Sequence, residues 1–205
     1  MLHNNGEEAD QRSMDDGECV MSWSSGTAAQ ELTRPTSVAA TPDTFKLAFR
    51  DHAAGVAVVT ADPGTGPVAL TATSVFSVSA EPPVLVFSLS ALSSSTPAIR
   101  ASASIVVHLL DGRRKDLAVL GSTSGIDRFA DTETWSRLPT GEPYFLGVPN
   151  WIRAKVTELI TVGASTLVVA TAEEISEHLG DDGPDRAPLV YHNRSWHALG
   201  EHSQI

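Results

Sequence analysis

Residues 66–100, GPVALTATSVFSVSAEPPVLVFSLSALSSSTPAIR, constrain the fold more than any other stretch. Residues 67–75 and 84–90 are rich in β-branched and apolar side chains, the composition of half-buried strands. The segment between them carries Ser77, Ser79 and the pair Pro82-Pro83, which forces extended backbone and reads as a loop. A run of hydroxyls follows the second strand: Ser93, Ser94, Ser95 and Thr96. Pro97 then stands where the first residue of a helix belongs. Hydroxyls at a helix start, together with its free backbone N–H groups, form a site for an anion such as a phosphate.

The remainder of the chain reads as further short strands with few helices. Thr41-Pro42-Asp43 opens a helix, with Thr41 as cap and Asp43 against the dipole. Phe45, Ala48, Phe49 and His52 share one face of that helix, expected over 42–53. A strand over 56–62 returns through Pro63-Gly64-Thr65-Gly66. Short helices are expected near 97–103 and 113–120, with a strand at 104–110 between them. Residues 151–162 and 166–175 pair as long strands, and Asn193-Arg194 marks a hairpin between 189–192 and 195–199. Trp135, Pro139, Gly141 and Pro143 read as loop. Many strands and few helices predict a mainly β fold, a closed antiparallel barrel.

At 205 residues one such domain is expected, over 43–200. Residues 1–42 differ in kind. They hold seven acids against Arg12 and Arg34, contributing −5 of the net −11, and show no helical or strand period. That composition predicts an acidic, flexible extension. The net charge of −11 argues against nucleic acid or an anionic membrane as partner. A single cysteine, Cys19, forms no internal disulfide and fits a reducing cytoplasm. No apolar run reaches the ~20 residues of a membrane span. The histidines lack metal-ligand spacing, so no metal site is expected. Neither a G-x-S-x-G elbow nor a G-x-G-x-x-G loop occurs.

Four elements, in this order, carry a resemblance: Leu70-Thr71-Ala72-Thr73-Ser74; Ser77-Val78-Ser79 with Pro82-Pro83; Ser95-Thr96-Pro97; and Asp127-Arg128-Phe129. Over residues 45–199 the chain resembles the flavin reductase-like family, whose fold is the FMN-binding split barrel. The resemblance implies FMN or FAD as cofactor, NAD(P)H as co-substrate and a homodimer with the flavin near its interface. It places Thr71, Ala72, Thr73 and Ser74 along the flavin ring and ribityl chain. Ser94, Ser95 and Thr96 would hold the phosphate, and Asp127, Arg128 and Phe129 would close the pocket. Two positions depart from the pattern. Relatives carry Gly-Asp-His before the penultimate strand, the histidine lying toward the nicotinamide, whereas this chain has Gly163-Ala164-Ser165. Where relatives end a strand in Asn-Val-Leu, this chain has His108-Leu109-Leu110. Ser165 and His108 are therefore the candidate catalytic positions.

Two functions are compatible with these residues. The first is a flavin reductase passing hydride from NAD(P)H to flavin, with a monooxygenase as recipient. The second is a barrel that has left redox chemistry and, without cofactor, holds a hydrophobic small molecule for a reaction such as a cyclisation in natural-product assembly.

Overall fold

The computed structural model describes residues 36–176 and 186–205. Most of the acidic extension, with Cys19 and Trp23, and the polar loop at 180–184 lie outside the described residues. Residues 39–205 form one compact unit.

The chain opens with α1 (Pro42–Arg50). Its cap is reciprocal: Thr44 N–H donates to Thr41 Oγ1 at 3.2 Å, and Thr41 N–H donates to Thr44 Oγ1 at 2.9 Å. The helix stops at Arg50, three residues short of the expected end, and none of its residues is buried. Strands β1 (Ala54–Gly55), β2 (Ala57–Ala61) and β3 (Val68–Ala72) follow. Next come β4 (Phe76–Ala80) and β5 (Pro83–Ser90). The stretch around Ser77 and Ser79 is thus a strand, not a loop. It pairs with β5 on one side only, and four of its five residues are exposed, Ser79 alone being half-buried, as befits an edge strand.

Helix α2 (Thr96–Ala101) leads to β6 (Ser104–Leu109). A 3₁₀ turn at Gly112–Arg114 runs into α3 (Lys115–Ser122). The tryptophan- and proline-bearing segment read as loop holds a small hairpin, β7 (Trp135–Arg137) with β8 (Pro143–Phe145). The long pair is β9 (Trp151–Val162) and β10 (Ser165–Ile175), and the chain closes with β11 (Leu189–His192) and β12 (Ser195–Ala198).

Seven strands form one antiparallel sheet in the order β3-β2-β6-β9-β10-β5-β4. The fold is mainly β, as expected. Among the described residues no ladder joins β3 to β4, so backbone hydrogen bonds leave these two strands as edges. The edges are nonetheless consecutive in sequence, linked only by residues 73–75. Laid flat, seven strands at about 4.8 Å spacing would set them about 29 Å apart. Four peptide steps span at most about 14 Å. The sheet therefore curls.

Packing agrees with the curl. Alternate residues of six strands, among them Val59, Leu70, Phe87, Val107, Ala154 and Val168, meet in one core with Ile99 of α2. The opposite face of β2, β3 and β6 is covered by Leu117 and Ala118 of α3, Phe129, Phe145 and Leu189. Covered on both faces, β2 buries all five of its residues. Arg153 donates to Glu142 Oε1 at 2.8 Å and Ser104 to the same oxygen at 2.5 Å, which fastens the β7–β8 hairpin to the sheet. No helix among the described residues is long and apolar enough to cross a membrane.

Candidate functional site

Where the two sheet edges diverge, the linker crosses toward β5. Ser74 Oγ accepts from Ser88 N–H at 2.9 Å. The slot so formed is a cavity of about 350 Å³. Its walls come from β3 and the linker (Thr71, Ala72, Thr73, Ser74), the end of β5 (Ser88, Ser90), the loop before α2 (Ser93, Ser94) and the end of α3 (Gly121, Ser122, Ser124), with Arg128. Nine of the lining side chains carry a hydroxyl, one is a guanidinium, and none is a carboxylate. The hydroxyls of Thr73, Ser88, Ser94 and Ser124 make no hydrogen bond among the described residues, so their donors are available to a guest.

Arg128 is held on three sides. Its Nε donates to Leu120 O at 3.2 Å, Nη2 to Thr123 O at 2.6 Å and Nη1 to Ser95 Oγ at 3.3 Å. The first two satisfy carbonyls at the C-terminal end of α3, where a cation is favoured. Burial lowers its pKa from the usual arginine value, and it stays charged at neutral pH. The remaining guanidinium donors and the charge belong to the cavity. Thr71 Oγ1 donates to Ala118 O at 2.7 Å, which draws α3 onto β3.

The expected site residues divide into three groups. Thr71, Ala72, Thr73, Ser74, Ser94 and Arg128 line the cavity. Ser95 and Thr96 stand behind its wall, buried, with their hydroxyls donated to Ala69 O at 2.8 Å and Ser90 O at 2.7 Å. Those hydroxyls serve the α2 turn rather than facing a guest. Asp127 Oδ1 accepts from Phe129 N–H at 2.9 Å in a local turn. Phe129 is buried, stacked on Phe145 at 5.2 Å and edge-on to Trp135 at 5.0 Å. It is a core ring, not a lid.

The two candidate catalytic positions also separate. Ser165 begins β10 directly opposite Ser90, so both side chains leave the same face of the sheet; Ser90 is a wall residue of the cavity and Ser165 is its cross-strand neighbour. His108 is elsewhere. It is fully buried, with Nδ1 3.0 Å from Val58 O and Nε2 accepting from Phe145 N–H at 3.0 Å. The second contact fixes the tautomer with the proton on Nδ1. Burial first, and the nearby Arg114 charge second, push its pKa down to about 4. It bridges β2 to β8 and takes no part in the cavity.

Ser88, Ser90, Ser122, Ser124 and Gly121 were not singled out in the sequence. Ser88 and Ser90 alternate with buried Phe87 and Leu89, so the period of two in FSLS is the signal that finds them. Gly121 to Gly125, GSTSG, is a small-residue run at a helix end, in which Ser122 and Thr123 cap the helix on Val119 O and Ser124 is left to the cavity. Among the described residues no cluster of three or more His, Cys, Asp or Glu is placed to hold a metal.

A family model described as "Flavin reductase like domain" matches residues 49–200. An NADH:FMN oxidoreductase of Rhodococcus qingshengii is 44% identical over 168 residues, covering 78% of this chain and 87% of the relative. The crystal structure of a flavin reductase domain protein from Arthrobacter sp. FB24 superposes with a TM-score of 0.70 at 34% identity, over 77% of this chain and 94% of that one. BorF, the flavin reductase component of a bacterial two-component tryptophan halogenase, superposes with a TM-score of 0.68 at 25% identity, over 78% and 98% of the respective chains.

Proposed function

The chain belongs to the flavin reductase-like family, and on that premise we infer that it is an NAD(P)H-dependent oxidoreductase reducing FMN or FAD in the hydroxyl-lined cavity. FMN and NADH are the pair to test first, being those of the Rhodococcus relative. One observation carries the reading: nine hydroxyl-bearing residues, four of them with hydroxyls free of any hydrogen bond among the described residues, line with the Arg128 guanidinium a single slot that holds no carboxylate. Such a donor set suits a phosphate and a polyol chain, and the absence of acids removes like-charge repulsion.

When bound, the flavin supplies the hydride acceptor. The chain supplies binding and placement. Arg128 neutralises the phosphate, the free hydroxyls of Ser94 and Ser124 donate to it or to the polyol, and Thr73 and Ser88 bond along the wall. Ser165 sits at the rim, where relatives place an imidazole. The non-redox reading lacks support, since His108 is a buried bridge and not a pocket group.

Several finer statements belong to the same proposal. The curled sheet closes at the β3–β4 seam as a split barrel, because residues 73–75 hold its edges together. Residues 43–200 are the catalytic domain and 1–42 an appended extension. The protein is a homodimer: Phe76 (55% exposed), Leu109 and Ile175 border an open apolar hollow of about 500 Å³ that needs a cover. Trp151, half-buried, is a further interface residue. Reduced flavin passes to a monooxygenase-type partner, as suits a relative of a two-component halogenase reductase. The cytoplasm, which supplies NAD(P)H, is its place of work.

Quenching of flavin fluorescence on titration with FMN, followed by NADH consumption dependent on added FMN, tests the function. A colourless protein indifferent to both FMN and NADH overturns it.

A further inference from the structure

Strand β8 pairs with β7 alone among the described residues, so side chains must tie it to the seven-stranded sheet. Thr60 Oγ1 donates to Pro143 O at 2.5 Å and Arg114 Nη1 to Leu146 O at 2.6 Å, one on each side of Phe145. His108 takes Phe145 itself. Its Nδ1–H donates to Val58 O of β2 and its Nε2 accepts from Phe145 N–H, each at 3.0 Å. One rigid, fully buried ring thus stands in for the ladder bond that β2 and β8 lack.

The ring of Phe145 carries that anchorage onward. It stands edge-on to His108 at 5.8 Å and stacks on Phe129 at 5.2 Å, the two phenyl planes 12° apart. Trp135 also meets Phe129 edge-on, and its Nε1–H donates to Phe129 O at 3.0 Å. Phe129 is the one buried residue between 122 and 134, and residues 123–134 form no helix or strand. Its burial therefore decides where that stretch lies. The residue before it is Arg128, whose guanidinium bonds to Leu120 O, Thr123 O and Ser95 Oγ and lines the cavity. Three bonds in three directions require the Arg128 backbone to start from one place.

We propose that His108 is a positioning residue for the flavin phosphate: it fixes the Phe145–Phe129 stack, and the stack fixes the point from which Arg128 reaches the cavity. The proposal rests on the reductase reading above. His108 does not line the cavity, so its effect comes through packing. Without the imidazole, Phe145 N–H is left buried and unpaired, and the strand must shift to find a partner. Close-packed rings pass such a shift on because they hold no slack to absorb it. The hydroxyls of Thr73 and Ser88 belong to the linker and β5 and depend on neither ring. The loss therefore falls on the phosphate and spares the rest of the flavin.

The test uses two amides of different reach. The amide of Asn stands near the position of the imidazole Nδ1, that of Gln near Nε2, so His108→Asn keeps the bond to Val58 O and His108→Gln keeps an acceptor for Phe145 N–H. His108→Asn is expected to weaken FMN about three- to tenfold, the scale of coupling carried through packed side chains, and riboflavin little. His108→Gln is expected to stay near the native ratio of the two flavins. In a chain that already carries Arg128→Gln, adding His108→Asn should cost FMN nothing further. Phe129→Leu, which leaves His108 and its bonds in place, should bring the same selective loss, and it serves where the histidine variant does not fold. Ile105→Val, a core change on the other side of the sheet, should lower the melting temperature and leave the flavin ratio unchanged. FMN and riboflavin weakened alike in the folded variants, or losses at His108 and Arg128 that multiply, overturn the proposal. If the native protein binds neither flavin, the reductase reading falls, and exchange of the Arg128 Nε–H proton, followed by NMR without flavin, decides the positioning alone. That proton is expected to exchange severalfold faster in His108→Asn than in the native protein or His108→Gln, and equal exchange in all three overturns the proposal.

Discussion

Gly121 lies directly against Thr71, so closely that a Cβ on the glycine would meet Thr71 Oγ1 at 2.5 Å and Thr71 N at 3.0 Å. Contact this close sets α3 against β3 and so shapes one side of the cavity. Because the second obstacle is backbone, a small rotamer change cannot relieve it. Gly121→Ala is expected to lift α3, at a cost of about 1–3 kcal/mol, and to weaken FMN binding with it. Thermal melting and an FMN titration on the same variant check this. Native stability with native FMN affinity would refute it.

Arg128 is expected to separate charged from uncharged flavins. Arg128→Gln should weaken FMN about tenfold or more and riboflavin little, since only FMN presents the phosphate. Arg128→Lys keeps the charge but not the fork to the Leu120 and Thr123 carbonyls, and should fall between. Ser95→Ala and Thr96→Ala, by contrast, remove hydroxyls engaged with main-chain carbonyls. They should lower melting temperature and affect FMN and riboflavin equally. Titrations of the two flavins side by side decide both points.

His108 gives the fold a defined acid sensitivity. With its pKa near 4 in the folded protein and near 6.5 when unfolded, the unfolded chain binds the extra proton between those values. Its contribution is complete above about pH 6.5 and is lost as pH falls toward 4. The full loss is about 3 kcal/mol. Urea unfolding at about pH 7 and about pH 4.5 measures it. His108→Leu should be less stable at neutral pH, because Phe145 N–H and Val58 O lose their partner. It should also show a shallower acid dependence than the native chain, and an equal slope in both would refute the assignment.

Ser165 stands opposite Ser90, a wall residue of the cavity. An imidazole there leaves the same face of the sheet as Ser90. Ser165→His is expected to raise kcat/KM for NADH severalfold through a lower KM. Stopped-flow bleaching of bound flavin by NADH follows the step, and a slower or unchanged rate would count against a nicotinamide role for this hairpin.

The long strands, the caps and the hydroxyl-rich order were legible because periodicity and capping are local. Thr41-Pro42 announced α1, and residues 151–162 announced β9 to the residue. What escaped depends on partners distant in sequence. β4 looked like a loop because serines alternate through it ahead of a proline pair, and the single partner strand that makes it an edge, β5, is not visible in its own residues. Ser95 and Thr96 looked like phosphate ligands because a hydroxyl's sequence position does not reveal which carbonyl lies behind it. His108 looked like a pocket group until Val58 and Phe145 were found on its two nitrogens. Arg128 was legible as a charge, but its anchoring to the end of α3 was not.

The β5–β10 ladder pairs Ser90 with Ser165 and Val84 with Thr171, residues about 80 positions apart along the chain. Its neighbours β2–β6 and β6–β9 join segments separated by about 50. Only the β2–β3, β4–β5 and β9–β10 hairpins zip locally. The central sheet therefore cannot assemble until the long β9–β10 ribbon has been synthesised and has found β5 on one side and β6 on the other. Until then β5 and β6, both apolar, wait as unpaired edges. Refolding in the millisecond-to-second range, limited by capture of that ribbon and prone to association at high protein concentration, is the kinetic signature this topology imposes.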